Sequence, residues 1–226
     1  MEQKNKSLAN VPIVVMVITV LIILIAPLPT IAVDILISLN LIFAILMFLV
    51  VSKMRKNDVF SSFPIVLLLF AIIGLATHIC STRFILIKGT TFDGRLIRAV
   101  SFLAGSSGGF IHLTFSFVIL FGIIATHMIL TYKVMKRISE LDHNDFNGAL
   151  DGAFKFIQGA NKMRIIIIIV NILGGTIIGV LLRHEAVNDV LKTYISLSIG
   201  NGLLSVVPAY LVTIAAWCIV KRENLR

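Results

Sequence analysis

Residues 145–179 read DFNGALDGAFKFIQGANKMRIIIIIVNILGGTIIG, and the fold turns on how this stretch is divided. Its first half is amphipathic. Phe146, Ala149, Leu150, Ala153, Phe154 and Ile157 recur at helical spacing and form one apolar stripe. Asp145, Asn147, Asp151, Lys155 and Gln158 fall off that stripe, and Asp151 and Lys155 stand at the four-residue spacing of a surface ion pair. Gly159 then offers a break, Lys162 and Arg164 mark a membrane boundary, and an almost wholly apolar run begins at Ile165. That run carries Asn171 and the small residues Gly174, Gly175 and Gly179. Glycines spaced like Gly175 and Gly179 let helix backbones approach closely, so these three form the candidate packing face. The reading is a surface helix that feeds a membrane span.

Composition agrees. Of 226 residues 58% are hydrophobic and only 14% charged, with a mean hydropathy of +1.02. A soluble domain of this length cannot hide so much apolar surface, so the expected class is an all-α polytopic membrane bundle. The first apolar run leads into Pro27 and Pro29 without a small-residue cleavage site, which reads as a span and not as a cleaved signal. The formal charge of +9 is carried at the ends of apolar runs, which argues for topology and against nucleic acid. Cys80 and Cys218 both lie in apolar runs and suggest neither a disulfide framework nor a metal site.

Six spans are expected: residues 11–26, 33–53, 64–87, 110–132, 165–182 and 194–220. Ser61 or Ser62 can cap the third, with Pro64 in its first turn. Arg83 falls near its far interface and can snorkel there. Residues 94–109 read as a second amphipathic helix lying in the outer interface, with Arg95, Arg98 and Ser101 on its polar side and GSSGG as a hinge. The chain then divides into spans one to four (1–132), a cytoplasmic amphipathic segment (133–164), and spans five and six with a short tail (165–226). With the N-terminus inside, fourteen of the 20 Lys and Arg residues fall on the cytoplasmic side, which puts both termini there.

Polar residues inside the spans are the candidate sites. Asn40, Asn171 and Asn201 are each expected to bond a neighbouring helix. Asn201 has a further reading: Gly200, Gly202 and Pro208 around it would break the sixth span, and a broken helix often faces a cavity. Asn171, Gly200, Asn201, Gly202 and Pro208 thus form the candidate polar path or gate. His78, His112 and His127 are placed nearer the ends of spans than their middles and read as interfacial. No nucleophile–base pair, phosphate loop or ligand cluster stands out, so neither enzyme activity, cofactor nor metal is expected.

Seven strings, in order, carry a resemblance: APLP…VDILISLNL (26–41), DVFSSFPIVLLL (58–69), STRFIL (81–86), KRISE (136–140), GALDGAFKFIQG (148–159), VNILGGTIIGV (170–180) and TYISLSIGNGLLSVVPA (193–209). The chain resembles the FlhA/LcrD/InvA export-gate proteins, the FHIPEP family, of flagellar and virulence type III secretion. The resemblance implies an inner-membrane subunit of a homo-oligomeric ring, with other small export-gate membrane proteins as partners. It matches Arg83, Arg137, Lys155 and Arg222 to the family's functional charges. It also shows departures. The family's cytoplasmic segment with ARFTLDAMPGKQMAID is missing after Glu140. Two further spans and a large cytoplasmic domain are expected of the family and do not appear. Ala160 and Asn201 stand where the family has acids, and Gly74 where an Arg is common. The expectation is a truncated FlhA-like subunit that contributes to gate assembly and protein secretion. The alternatives are an ion or small-solute channel on the same frame, or an inactive remnant.

Overall fold

A computed structural model describes residues 18, 20–23, 28–54, 61–103, 109–141 and 144–223. They form α1 (Thr30–Lys53), α2 (Phe63–Lys88), a 3-10 turn (Gly89–Thr91), α3 (Arg95–Ser101), α4 (Gly109–Ile138), α5 (Asp145–Ile177) closed by a π-turn (Ile178–Leu182), and α6 (Val187–Glu223). No strand occurs among the described residues, and the protein is an all-α helical bundle. Five helices, α1, α2, α4, α5 and α6, are long and apolar enough to cross a membrane. The sixth expected span, residues 11–26, lies mostly outside the described residues. Within it residues 20–23 are helical, and Ile23 is buried in one cluster with Val33 and Ile37.

The last helix is the centre of the bundle. α6 packs on α1, α2, α3, α4 and α5, and α2 also lies along α5. At the Lys53 end, α1, α4 and α6 finish and α2 and α5 begin. Phe63, Leu67, Ile138, Leu150, Phe154 and Val220 close that end. At the Lys88 end Val33, Ile85, Phe92, Ile97, Val190 and Tyr194 do the same. The outer face of α1 is bare: Ile31, Ile35, Leu39, Ile42, Leu46 and Val50 are all exposed, the pattern of a helix that lipid or another protein covers.

Two expectations need correction. α5 does not break at Gly159; the helix runs unbroken from Asp145 through Ile177, across the division expected at residue 164. A glycine within a helix costs about 1 kcal/mol, and burial of Ile157, Ala160 and Asn161 beside it outweighs that. α6 is likewise continuous through Gly200, Asn201, Gly202 and Pro208. Pro208 removes one backbone bond, and the surrounding helices hold the turn in register. Within the expected 94–109 helix, α3 covers Arg95–Ser101 and packs on α6, with Ile97 and Ser101 both buried. Most of the GSSGG hinge lies outside the described residues.

Local signals explain the helix ends. Asn144 caps α5, its Oδ1 accepting from the Asn147 N–H at 2.7 Å. Ser62 occupies the N-cap of α2 with Pro64 in the first turn as expected, but its hydroxyl makes no capping bond. Asp34, on α1, accepts from the N–H groups of Arg95 and Leu96 at 2.8 and 3.3 Å, so a carboxylate from another helix caps α3.

Candidate functional site

Polar side chains meet along one stripe of α6. Asn201, Ser205 and Thr213 fall at multiples of four residues, which keeps them on one helix face. Toward the middle of the bundle, Ser81 donates to Asn201 Oδ1 at 2.7 Å. The amides of Asn201 and Asn171 both donate to Thr82 Oγ1 at 3.2 Å, and Thr82 donates to the His78 carbonyl at 2.9 Å. One hydroxyl and two amides thereby tie α2, α5 and α6 together. Nearer the Lys53 end, Arg164 donates from Nη1 to Asn161 Oδ1 at 2.7 Å and from Nε to Ser205 Oγ at 3.0 Å. Asn161 donates in turn to Thr131 Oγ1 at 3.2 Å, which joins α4 to the same network. His127 Nε2 lies 3.0 Å from Thr213 Oγ1. Thr213 already gives its proton to the Ala209 carbonyl, so the imidazole is the donor.

A small cavity of about 20 Å³ joins the two groups, lined by Asn40, Gly74, Thr77, His78, Ser81, Asn201 and Ser205 among others. Neither ring nitrogen of His78 has a protein partner among the described residues. The cavity has the size and polarity to hold one water against that ring. Arg164 is the one buried residue with a fixed charge: it is 2% exposed, and no Asp or Glu is buried among the described residues.

At the Lys88 end a second set of bonds closes the bundle. Arg183 donates to the carbonyls of Leu86 (3.1 Å) and Ile87, the last free acceptors of α2, and to Tyr194 Oη at 3.3 Å. A cation belongs at that helix end, where unpaired carbonyls gather negative charge. Gly89 has φ 55°, and its missing side chain leaves the room that Arg183 occupies. Lys88 binds Asp93 at 2.6 Å, and this hydrogen bond holds the Asp93 carboxyl below its ordinary range.

Gly175 and Gly179 face α6: a methyl on Gly175 would enter the Tyr194 ring, and one on Gly179 would come within 2.8 Å of Val190. Their packing partner is a helix of the same chain. Gly174 looks toward Leu86 with ordinary space. Gly200 lets α3 lie against α6, since a methyl there would meet the Ile97 carbonyl at 2.6 Å, and Gly202 makes room for Leu120. These two glycines serve close approach, not a helix break. Pro208 is buried in α6. Arg83 stacks on the Phe84 ring at 5.6 Å. Arg137 pairs with Glu140 at 2.8 Å, and Lys155 pairs with Asp151 at 2.7 Å as its spacing suggests. Arg222 lies in the last turn of α6.

Sequence reading placed three residues wrongly. His78 and His127 are buried mid-helix, not interfacial, and Arg164 points into the bundle instead of marking its boundary. The available signal was the placement of Asn201, Ser205 and Thr213 at multiples of four residues, with Asn161 and Arg164 three apart on the facing helix.

The FHIPEP family profile matches residues 20–142 and 128–226, nearly the whole chain. The chain belongs to the FHIPEP family. The flagellar biosynthesis protein FlhA of Borreliella burgdorferi is 34% identical over 88% of this chain and 34% of its own length. FlhA of Treponema pallidum is 34% identical over 94% of this chain and 35% of its own. Protein MxiA of Shigella flexneri is 32% identical over 94% and 36%. The chain therefore spans about a third of the length of the curated relatives it matches. No solved structure matches. The MxiA alignment runs over 251 positions, more than the 226 residues present, so this FHIPEP chain lacks residues the relative carries within the matched stretch. The two profile segments overlap at residues 128–142, beside the α4–α5 turn where the sequence departs from the family pattern.

Proposed function

We propose that this FHIPEP chain is a multi-pass inner-membrane subunit of a flagellar or virulence-type protein export apparatus, and that its work is assembly of the export gate. The observation that carries the reading is the match to FlhA and MxiA across almost the entire chain. In this reading both termini are cytoplasmic, and copies of the chain form a ring with other export-gate membrane proteins. The bare face of α1 supports contact with other membrane helices, as does the open face at Gly148 and Gly152, where an added methyl would meet nothing. The role is structural and transport-related, with no catalysis and no cofactor.

The polar stripe on α6 favours one second reading, an ion or small-solute path through the bundle. Affinity purification of the tagged chain from its own cells after membrane-permeable cross-linking separates the two. Recovery of export-gate membrane proteins supports the first. A chain recovered free of them, with solute flux in vesicles, overturns it.

A further inference from the structure

The Lys53 ends of α4 and α6 enclose a groove of about 330 Å³ lined by Lys133, Lys136, Arg137, Glu140, Trp217 and Lys221. Lys133, Lys136, Arg137 and Glu140 share one face of α4, since steps of three, four and seven residues return to the same side. Trp217 and Lys221, four apart, do so on α6. The two helices pack together, so the two faces confront each other. Arg137 is committed to Glu140. Lys133, Lys136 and Lys221 are exposed and have no carboxylate within ion-pair distance among the described residues.

Charge balance decides what the groove prefers. It holds three lysines beyond the Arg137–Glu140 pair. Two helix C-termini nearby supply roughly half a negative charge each. About two positive charges are left unanswered. The groove also sits where the apolar parts of both helices end, with Tyr132 and Trp217 at the level such aromatics take at a membrane surface. Unanswered cations beside an interfacial indole match a phosphate that carries an apolar tail.

We propose that this groove binds the headgroup of an anionic phospholipid, its phosphate among Lys133, Lys136 and Lys221 and its upper acyl region against Trp217. The proposal rests on the chain's spanning a membrane and not on its role in export, so the two readings fail separately.

Trp217 is the only tryptophan of the chain, which makes its fluorescence a reporter for this one place. The chain is reconstituted in phosphatidylcholine vesicles that contain either brominated phosphatidylglycerol or brominated phosphatidylcholine. The expected result is half-quenching by the glycerol lipid at a several-fold lower mole fraction. In a Lys133→Gln, Lys136→Gln, Lys221→Gln variant that preference should vanish, while quenching by brominated phosphatidylcholine stays as it was and reports a folded, inserted chain. Equal quenching by both lipids in the unaltered chain overturns the proposal, as does a preference that survives the triple substitution. Inorganic phosphate is the competitor. No recovery of fluorescence beyond that given by chloride at equal ionic strength is expected. Full recovery would assign the groove to free phosphate and overturn the lipid assignment.

Discussion

Arg164 is a full charge inside the bundle whose hydrogen-bond partners, Asn161 and Ser205, are neutral. Removing a partner and removing the charge should therefore differ. Asn161→Ala leaves a buried guanidinium short of its closest acceptor and should cost about 1–3 kcal/mol. Arg164→Met removes the charge itself and keeps most of the volume, a change that buried ion sites often tolerate at little net cost. The Tm of the detergent-solubilised protein should fall more for Asn161→Ala, and the opposite order would sink this account of the site. Gly175 yields a second contrast. Tyr194 is fully buried and its ring occupies the space a side chain at Gly175 would need. Gly175→Ala overpacks that contact at about 1–3 kcal/mol, whereas Gly148→Ala meets open space and should be neutral or slightly stabilising. Equal tolerance in the same unfolding assay would remove the packing argument.

Helix lengths explain what was and was not legible in the sequence. Long apolar runs located the long helices, because a segment that crosses a membrane must satisfy its backbone internally and does so as a helix. They could not show where the helices end. α4 continues through Lys133, Lys136 and Arg137 to Ile138, and α5 starts twenty residues before its apolar run. Positions counted from the edge of an apolar run are then misplaced, which is why His127 and Arg164 looked interfacial. Gly159 and Pro208 were legible as weak points, but their cost is local and the tertiary contacts that outweigh it leave no mark on the nearby sequence. The close approaches at Gly175 and Gly179 were legible from spacing alone; that Tyr194 and Val190 fill them was not, since nothing in a sequence names the facing helix. Continuity of α5 has a direct test. Spin labels at Lys155→Cys and Ile169→Cys, in a chain lacking Cys80 and Cys218, flank Gly159. A single straight helix sets their backbones about 21 Å apart, so pulsed electron resonance should give one narrow distribution near that distance. A broad or clearly shorter distribution would restore the break.

For the molecule as a whole, orientation and permeability follow from where charge sits. The basic residues cluster at the Lys53 end, and cytoplasmic placement of that end puts Thr91 and Asn188 outside and Asn144 inside. Single cysteines at these positions should label accordingly with an impermeant reagent in intact cells, and labelling of Asn144→Cys without Thr91→Cys would invert the topology. Permeability is the harder question, because a polar stripe through a bundle invites the idea of an ion path. A proton or sodium path needs groups in series that change charge or bind the ion. The buried stripe holds amides, hydroxyls, two imidazoles and Arg164, and no buried carboxylate among the described residues. The positions where the family pattern implies acids are Ala160 and Asn201, both buried here. Arg164 adds a barrier. A cation about 6 Å from a guanidinium, at an effective dielectric constant of about 20, meets roughly 3 kcal/mol of repulsion, which slows passage about a hundredfold. The chain reconstituted alone, under a potassium diffusion potential, should thus acidify vesicles no faster than lipid without protein. Arg164→Met by itself should change this little, since it lifts the barrier without supplying a relay. Ala160→Asp and Asn201→Asp added to Arg164→Met should raise the flux, because the three changes together provide titratable groups and remove the opposing charge. Proton flux from the unmodified chain well above that of empty vesicles would refute the barrier, and would move the solute-path reading ahead of gate assembly.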